Sequence, residues 1–253
     1  MNNKNSYSVI LPTLNEAGHI KSLIYDISNN FIRSKIEYEI IIVDDNSIDG
    51  TVEKVEEIKN LNLVICKRIN KSKSLVNSLN EGIENAKHNN VIWMDADYSH
   101  PPNCISEFIN LKKDKNHDLI VCSRFLKDSK RYYNLDNLKP VSIDFLSNFL
   151  NSISKIILFS DFTDYTSGYI CIKKQIVKNK KLSGYYGDYF IELITRCKVS
   201  GFSILEIPFT EKKRASGQSK TTGDKLDFII KCYFYFYKIL KCLLIKLKIL
   251  STD

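Results

Sequence analysis

Two aspartates separated by one residue, Asp95 and Asp97, have the clearest capacity for chemistry in this sequence. They directly follow the apolar run at residues 91–94, which is typical of a buried strand. Extended backbone sends alternate side chains to one side, so both carboxylates can converge on one cation. Hard oxygen ligands select Mg²⁺ or Mn²⁺, ions that keep water ligands and bridge to substrate phosphates. The pair predicts a divalent-metal site that offsets charge on a departing diphosphate, with ordinary strand-end carboxylates as the alternative.

Two further polar clusters follow predicted strands, at residues 13–16 and 44–51. The second cluster is acidic, so it makes a poor phosphate cradle and suits hydrogen bonding to ribose hydroxyls or a base edge. A turn at Asp49 and Gly50, with Thr51 as a helix cap, is the alternative, and both interpretations can hold together. Ligands of parallel sheets bind beyond the carboxyl ends of the strands. The three polar strand ends therefore predict one shared ligand site.

The elements that must position these clusters are short apolar strands alternating with amphipathic helices. Strands are predicted at residues 7–11, 39–43, 63–66, 91–94, 119–122, 169–172 and 204–207. Helices are predicted at residues 51–60, 75–86, 102–113, 143–158, 189–198 and 224–250, and a further helix, capped by Asn15, has its apolar face within residues 20–31. Polar loops are predicted at residues 127–139, a mobile one, and 215–223. The alternation is typical of βαβ units and predicts an α/β fold with a mainly parallel sheet.

Composition limits the class of protein. The 253 residues are 43% hydrophobic and 26% charged, which indicates one globular domain with a small appendage. A net charge of +8 favours an anionic partner, but acidic strand ends in the expected cleft argue against nucleic acid. The seven cysteines are odd in number and form no C-x-x-C pair, so we expect small core side chains in a reducing compartment. The sequence predicts neither a signal peptide nor a spanning helix.

Five blocks of the sequence, in collinear order over residues 7–222, resemble family 2 glycosyltransferases. Residues 9–16, 41–51 and 94–102 resemble three signature blocks of the family. Residues 164–169 are similar to the D-x-T-S-G-F segment, and residues 214–220 to the R-x-x-G-x-S-K segment, of the dolichol- and polyprenol-phosphate mannosyltransferases. The resemblance implies a GT-A-type, Rossmann-like fold, cytoplasmic catalysis and inversion at the sugar.

The resemblance also implies roles for particular residues. Nucleoside and donor contacts are implied for Pro12, Leu14, Glu16, Asp44, Asp45, Lys73 and Asp95; metal and diphosphate binding for Asp95 and Asp97; and binding of acceptor or donor phosphates for Arg124, Arg131, Arg214 and Lys220. Arginine suits phosphate because its fork meets two oxygens at once. Asp95, Asp97 and Arg124 are the predicted catalytic residues.

The sequence departs from the family pattern at three places. Ser99 stands where relatives often have a third metal ligand, commonly glutamine, and a serine is too short for that role. Residues 71–76 replace a glycine-rich G-K-G-L-G stretch, so the backbone has less freedom there. The family's W-x-x-x-R and S-x-x-x-N patterns are expected between residues 127 and 148, where only Lys139 and Ser142 offer a partial match.

The reaction that these features favour needs no general base. A phosphate acceptor is already anionic near neutral pH, so positioning and stabilisation of the leaving diphosphate suffice. Among the four histidines only His100 lies near a motif, and we interpret it as a structural neighbour of the metal loop. The sequence predicts metal-dependent transfer of a hexose, with mannose from GDP-mannose favoured, to polyprenyl or dolichyl phosphate. The alternatives are a UDP-sugar transferase acting on a saccharide hydroxyl, and a non-catalytic phosphate- or membrane-binding protein on the same scaffold.

The C-terminal segment, residues 224–253, is predicted to be an amphipathic helix appended to a catalytic domain of residues 1–223. Its lysines fall on one arc and its aromatic and aliphatic residues on the remainder, the pattern of a helix in a membrane interface with lysines toward headgroups. Packing on the domain or on a membrane partner subunit is the alternative. The protein is then expected at the cytoplasmic face of a membrane, bound peripherally.

Overall fold

The computed structural model describes residues 5–115, 117–130, 141–212 and 225–250, which form a seven-stranded sheet flanked by helices. The strands are β1 (Tyr7–Thr13), β2 (Tyr38–Asp44), β3 (Leu63–Lys67), β4 (Asn90–Trp93), β5 (Leu119–Ser123), β6 (Ile170–Lys173) and β7 (Ile204–Pro208). The helices are α1 (Ile20–Ser34), α2 (Thr51–Glu56), α3 (Leu75–Asn85), α4 (Cys104–Lys115), α5 (Val141–Ile157), α6 (Lys174–Lys178), α7 (Asp188–Val199) and α8 (Lys225–Lys246).

The sheet has the strand order β3-β2-β1-β4-β6-β5-β7. All neighbouring strands are parallel except at β6, which runs antiparallel to both β4 and β5. The predicted α/β fold with a mainly parallel sheet is confirmed. Because β6 is reversed, its amino end lies at the same edge as the carboxyl ends of β4 and β5, and this sets which loops meet there.

The strands are buried on both faces, as continuous apolar runs in parallel sheets usually are. Ile10, Ile41 and Val91 face a core shared with α3, α5, α7 and α8. Leu11 and Ile42 face a second core shared with α1 and α4. The apolar face predicted for α1 is confirmed, because each of its members is fully buried: Ile20, Leu23, Ile24, Ile27 and Phe31.

Two predicted helix caps are wrong. The helix α1 begins at Ile20 after His19, and the side chain of Asn15 instead accepts a hydrogen bond of 3.0 Å from the backbone N–H of Ile48. The helix α2 follows Gly50, whose φ of 88° is in the left-handed region, and the hydroxyl of Thr51 accepts from the backbone N–H of Glu16 at 2.8 Å. Asn15 and Thr51 therefore join the loop after β1 to the loop after β2 and do not cap α1 and α2.

Helix and strand bounds differ from the predictions by a few residues, and α6 was not predicted. The predicted loops at residues 127–139 and 215–223 lie mostly outside the described residues, apart from 127–130, where Lys130 forms a bridge with Thr210. All seven cysteines are free, and five of them are buried, as expected of core side chains: Cys104, Cys122, Cys171, Cys197 and Cys242. Among the helices of the described ranges, none combines the length and apolarity needed to cross a membrane.

Candidate active site

The loops after β1, β2 and β4 lie together, and we call residues 13–17, 44–51 and 95–100 the acidic edge. Asp44 is buried at the end of β2. One of its oxygens, Oδ2, accepts from the hydroxyls of Thr13 at 2.9 Å and Ser47 at 2.6 Å, and the other accepts from the backbone N–H of Ser47 at 2.8 Å. Asp44 therefore fixes the ends of two neighbouring strands, whatever else it contacts.

Side chains of the second loop also hold the first loop. The backbone N–H groups of Asn15 and Ala17 donate to Ser47 Oγ at 2.8 Å and to Asp49 Oδ2 at 2.9 Å. Partial burial opposes ionisation of Asp49, but hydrogen bonds from Thr51 and Ala17 lower the pKa of its carboxyl below the usual value. The polar character of residues 44–51 thus builds the edge as much as it offers groups to a ligand.

Asp45 forms a buried ion pair that sequence reasoning missed. Its Oδ1 lies 2.5 Å from Nη1 of Arg68, which is 2% exposed, and its Oδ2 accepts from the backbone N–H of Ser74 at 2.6 Å. Nη2 of Arg68 also donates to the carbonyl of Ser72 at 3.1 Å. The pair holds the segment that stands in place of the glycine-rich stretch, and Lys73 is exposed on it. Arg68 could have been found from its position in the sequence, because it directly follows β3 and therefore lies at the same sheet edge as Asp45.

The predicted metal ligands follow β4. Asp97 is buried, and its Oδ1 accepts from the backbone N–H of Ser99 at 2.9 Å and from the hydroxyl of Ser99 at 2.6 Å. Asp95 is partly exposed, and its backbone N–H donates to Nδ1 of His100 at 3.0 Å. Ser99 thus orients Asp97, in keeping with its unsuitability as a third metal ligand. The ring of His100 stacks on Tyr169 at 4.9 Å, which agrees with its predicted structural role.

A histidine without any sequence motif joins the loop after β4 to the loop after β1. Nε2 of His19 lies 2.8 Å from the carbonyl oxygen of Ala96 and 3.1 Å from Oε2 of Glu16. His19 and Glu16 are both buried. The contact fixes Glu16 beside the turn that carries Asp95 and Asp97, so the three loops form one unit.

The donor set fits a divalent cation that is completed by its substrate. Within the described ranges, no group of three or more histidine, cysteine, aspartate or glutamate side chains is placed to hold a metal ion. Mg²⁺ is commonly bound through one or two carboxylates together with waters and substrate phosphates. The carboxylates of Asp95 and Asp97 match that pattern of binding.

Arg124, at the end of β5, forms a two-pronged ion pair with Asp164. Nε lies 2.9 Å from Oδ2 of Asp164, Nη2 lies 2.9 Å from Oδ1, and Nη2 also donates to the hydroxyl of Thr166 at 2.8 Å. Burial lowers the pKa of Arg124, but the charges of Asp164, Glu211 and Asp95 outweigh it and raise the pKa above its usual value. Burial raises the pKa of Asp164, but Arg124 outweighs it, so the net shift is downward.

A segment of the form S-x-x-x-N lies on α5, from Ser147, inside the range in which the pattern was expected, to Asn151, beyond it. Ser147 and Asn151 both contact Thr166, at 3.1 and 3.0 Å. Asn151 also accepts from the backbone N–H of Tyr165 at 2.6 Å. We call Arg124, Ser147, Asn151, Asp164 and Thr166 the arginine cluster. Its members are joined through the D-x-T-S-G segment, which was identified in the sequence by its resemblance to the mannosyltransferases.

A carboxylate behind the cluster completes its support. Glu206 on β7 accepts from the backbone N–H and hydroxyl of Thr163, at 2.8 and 2.7 Å, and from the backbone N–H of Asp164 at 3.1 Å. Burial raises the pKa of Glu206. The segment that carries Asp164 is thereby fixed from both sides.

The structure brings together most of the predicted site residues. Those at the ends of β1, β2 and β4 or just before α3 are Pro12, Leu14, Glu16, Asp44, Asp45, Lys73, Asp95 and Asp97, and Arg124 follows β5. Arg131, Arg214 and Lys220 lie outside the described residues. The binding roles of all of these residues stay predictions.

The mostly parallel sheet with its acidic edge is a GT-A-type fold. The family model of glycosyl transferase family 2 matches residues 8–179, more than half of the chain. The chain belongs to glycosyl transferase family 2.

Two relatives carry the same name. The chain is 30% identical over 236 residues to a dolichol-phosphate mannosyltransferase of Pyrococcus furiosus, an alignment that covers 92% of this chain and 63% of the relative. It is 26% identical over 226 residues to a dolichol-phosphate mannosyltransferase of Saccharomyces cerevisiae, covering 86% of this chain and 81% of the relative. The chain thus spans less than two thirds of the length of the P. furiosus relative.

Solved structures share the fold at low identity. Glucosyl-3-phosphoglycerate synthase from Mycobacterium tuberculosis, in complex with Mn²⁺, UDP-glucose and phosphoglyceric acid, matches with a TM-score of 0.68 and 15% identity over 94% of this chain and 80% of that one. The same enzyme with Mg²⁺ and UDP matches with a TM-score of 0.66 and 14% identity over 96% and 79%. This likeness supports the fold.

Proposed function

We propose that the protein transfers a hexose, with inversion, from a nucleotide sugar to a polyprenyl or dolichyl phosphate, and that the donor is GDP-mannose. The observation that carries the proposal is the meeting of the acidic edge and the arginine cluster at one edge of the sheet. Asp95 is among the carboxylates whose charge reaches Arg124. A site with carboxylates on one side and a held guanidinium on the other suits two phosphates approaching one sugar. The two mannosyltransferase relatives support the choice of sugar and acceptor.

The residues of the acidic edge bind and orient the donor in this proposal. Pro12, Leu14 and Glu16 line the nucleoside with Asp44 and Asp45, whose hydrogen bonds keep the loops in place before the donor arrives. Asp95 and Asp97 hold Mg²⁺ or Mn²⁺, which offsets the charge of the leaving diphosphate when bound. Lys73, exposed before α3, adds a positive charge for the donor phosphates.

A phosphate acceptor suits this site because its oxygen is already anionic, so no side chain has to remove a proton from it. An anionic phosphate oxygen attacks the anomeric carbon directly once it is oriented. Arg124 orients that phosphate from a fixed position, since Asp164 and Thr166 hold its guanidinium. Arg131, Arg214 and Lys220 complete the binding of phosphate groups by their matched positions in the sequence.

A UDP-sugar donor is the second candidate. It is favoured by the fold's likeness to glucosyl-3-phosphoglycerate synthase, whose structures contain UDP or UDP-glucose and a phosphorylated acid. A family 2 enzyme of that kind would act on a small soluble acceptor or a saccharide hydroxyl. A non-catalytic phosphate- or membrane-binding protein on the same scaffold is a third candidate.

The test is a donor and acceptor screen with the purified full chain. Radiolabelled GDP-mannose, UDP-glucose and UDP-N-acetylglucosamine are each supplied with polyprenyl phosphate, with a neutral saccharide and with phosphoglyceric acid, in Mg²⁺, Mn²⁺ or chelator. We expect mannosyl transfer to polyprenyl phosphate alone, and its loss in chelator. Transfer only to the saccharide or the acid would contradict the proposed acceptor. If the protein binds the donors but transfers no sugar from any of them, the non-catalytic candidate would be favoured.

The proposed acceptor places the enzyme peripherally at the cytoplasmic face of a membrane, with residues 1–223 as the catalytic domain and residues 224–253 as the membrane-binding appendage. A membrane partner subunit bound at the same appendage is the alternative attachment. Either attachment would keep the acidic edge in water while the acceptor stays in its lipid phase.

A further inference from the structure

The helix α8 is apolar on two sides. Its inner side packs on α7 and α5, with Ile239, Cys242 and Ile245 fully buried. A second row, spaced three and four residues apart, stays exposed. Its members are Tyr233, Phe236, Tyr237, Leu240, Leu244 and, one residue past the end of α8, Leu247, each between 38% and 66% exposed. We call these six residues the outer apolar face. Their spacing puts them on one stripe of the helix.

Lys238, Lys241 and Lys246 of α8 point inward, so the predicted orientation toward headgroups is wrong for these three. Nζ of Lys238 lies 2.6 Å from Oε2 of Glu192 on α7, and Nζ of Lys241 lies 3.0 Å from Oε1 of the same carboxylate. Nζ of Lys246 donates to the carbonyls of Ile157 at 3.1 Å and of Leu158. Lys238 and Lys241 point inward because Glu192 is 3% exposed, and together with Arg196 they compensate a buried carboxylate, whose burial costs more than the exposure of leucines.

The outer apolar face also continues onto a second helix. Phe149 on α5 is 43% exposed, and its ring centroid lies 6.2 Å from that of Phe236. Soluble monomers seldom expose a large contiguous apolar patch, and such patches commonly mark membrane or protein contacts. The α8 helix spans about 33 Å at 1.5 Å per residue, so its outer apolar face is long enough to lie along a surface.

We propose that the outer apolar face inserts into a lipid bilayer surface, and that apolar insertion rather than attraction between lysines and headgroups provides the binding. This inference rests on the proposed function, since an enzyme whose acceptor is a lipid has to work at a bilayer. Residues 228–250 contain five lysines and no aspartate or glutamate. Lys238 and Lys241 are paired with Glu192, but Lys248, next to Leu247, is exposed. A second copy on the same face would bring these exposed like charges together, whereas an anionic bilayer complements them. Tyr233 and Tyr237 suit the interface because each ring is apolar and each hydroxyl is polar.

The inward lysines fix which side of α8 meets the bilayer. Lys238 and Lys241 both bind Glu192, so rotation of the helix would remove two cationic partners from this buried carboxylate and leave it with Arg196 of α7. The outer apolar face is therefore held in place before contact with lipid, and the ordering cost of binding is small.

The experiment is flotation of the full chain with vesicles of phosphatidylcholine and phosphatidylglycerol. The variant Leu240→Glu/Leu247→Glu changes two exposed positions, and we expect at least a tenfold loss of vesicle binding. The control is Ile32→Glu, at a residue of α1 that is 55% exposed and belongs to the helix layer on the other face of the sheet. It should bind like the wild type. Wild-type binding should also persist in about 1 M salt, where surface charges are screened within about 3 Å.

The inference would be overturned if the double variant bound vesicles as well as the wild type, or if salt released the wild type from them. It would also be overturned if light scattering showed the wild type as a dimer and the double variant as a monomer. Transfer to a detergent-dispersed polyprenyl phosphate separates this inference from the proposed function. A double variant that loses flotation and keeps transfer in detergent supports the inference. A wild type that floats through its outer apolar face and transfers no hexose contradicts only the proposed function.

Discussion

The acidic edge and the arginine cluster meet at one edge of the sheet but are built differently. The acidic edge is held mainly by backbone N–H groups and hydroxyls donating to side-chain oxygens, as where Asp44 accepts from Thr13 and Ser47. These donors lie within short segments that follow three parallel strands. Such a network costs little to form, because each acceptor is satisfied by groups that the turn brings close.

The arginine cluster is held by a buried pair of charges separated by forty positions in the sequence, Arg124 and Asp164. Asp164 is fully buried and the side chain of Arg124 is 12% exposed. Removal of one partner from such a pair leaves a charge in a poorly solvated place. Single changes in the acidic edge outside the buried Asp45–Arg68 pair should therefore lower activity with little loss of stability, whereas changes in the arginine cluster should lower stability first.

The largest expected effect is on the arginine cluster. Asp164→Asn should lower the free energy of unfolding by about 3–5 kcal/mol, because Arg124 loses its two-pronged buried partner and keeps the more distant Glu211, at 3.7 Å. Urea denaturation followed by circular dichroism measures the change. The matched control is Asp161→Asn, three residues earlier, which removes an exposed carboxylate 2.6 Å from Lys198. A surface pair contributes about 1 kcal/mol or less. Equal effects of the two variants would remove the contrast between the regions.

The next effect is on catalysis at the acidic edge. Asp97→Ala should leave the free energy of unfolding nearly unchanged and reduce hexose transfer at least about a hundredfold, because a lost metal site removes several kcal/mol of transition-state stabilisation. Initial rates across a Mn²⁺ titration measure the loss. Asp114→Ala, at an exposed position of α4, serves as the control and should transfer normally. Full activity in Asp97→Ala would refute the assignment of this carboxylate to the metal.

A smaller effect tests the packing beneath the acidic edge. A Cβ at Gly82 on α3 would lie 2.4 Å from Cγ2 of Ile10 on β1. Gly82→Ala should destabilise the fold by about 1–3 kcal/mol, because overpacking outweighs the helix propensity that alanine gains. A double-mutant cycle with Ile10→Ala, read by thermal unfolding, should show a coupling that offsets part of the cost. Stabilisation by Gly82→Ala alone would mean that α3 can move away from the sheet.

The smallest effect is gradual and depends on pH. Burial raises the pKa of Glu192, but Lys238 and Lys241 outweigh burial and lower this pKa overall. Burial likewise raises the pKa of Asp164, and Arg124 outweighs it, so this pKa is also lowered overall. Carboxyl groups with a lowered folded-state pKa stabilise the fold above their usual values of about 4 and lose that contribution as the pH falls through the folded-state pKa. Glu206, whose pKa burial raises, opposes the trend.

The unfolding free energy should therefore fall below about pH 4, and Glu192→Gln should flatten the fall relative to the wild type. Urea titrations at successive pH values measure both slopes. Parallel slopes for the wild type and Glu192→Gln would show that Glu192 does not contribute to acid sensitivity.

The seven strands, the α/β fold and the position of the acidic edge could be predicted from the amino-acid sequence alone. These features depend on local apolar runs and on the rule that parallel strands end at one edge, so their residues can be read without knowing what packs on them. The antiparallel direction of β6 was not readable, because a short apolar run has the same pattern in either direction.

The pairing of distant side chains could not be predicted in this way, because it depends on how the elements pack. Arg68 with Asp45 and His19 with Ala96 are contacts between segments that no local pattern connects. The clearest case is α8, whose lysines and apolar residues predicted a polar side toward headgroups. The buried carboxylate of Glu192 on α7 holds Lys238 and Lys241 on the inner side, and the outer apolar face stays exposed. Periodicity shows that a helix has two sides, but the charge of its neighbour decides which side is buried.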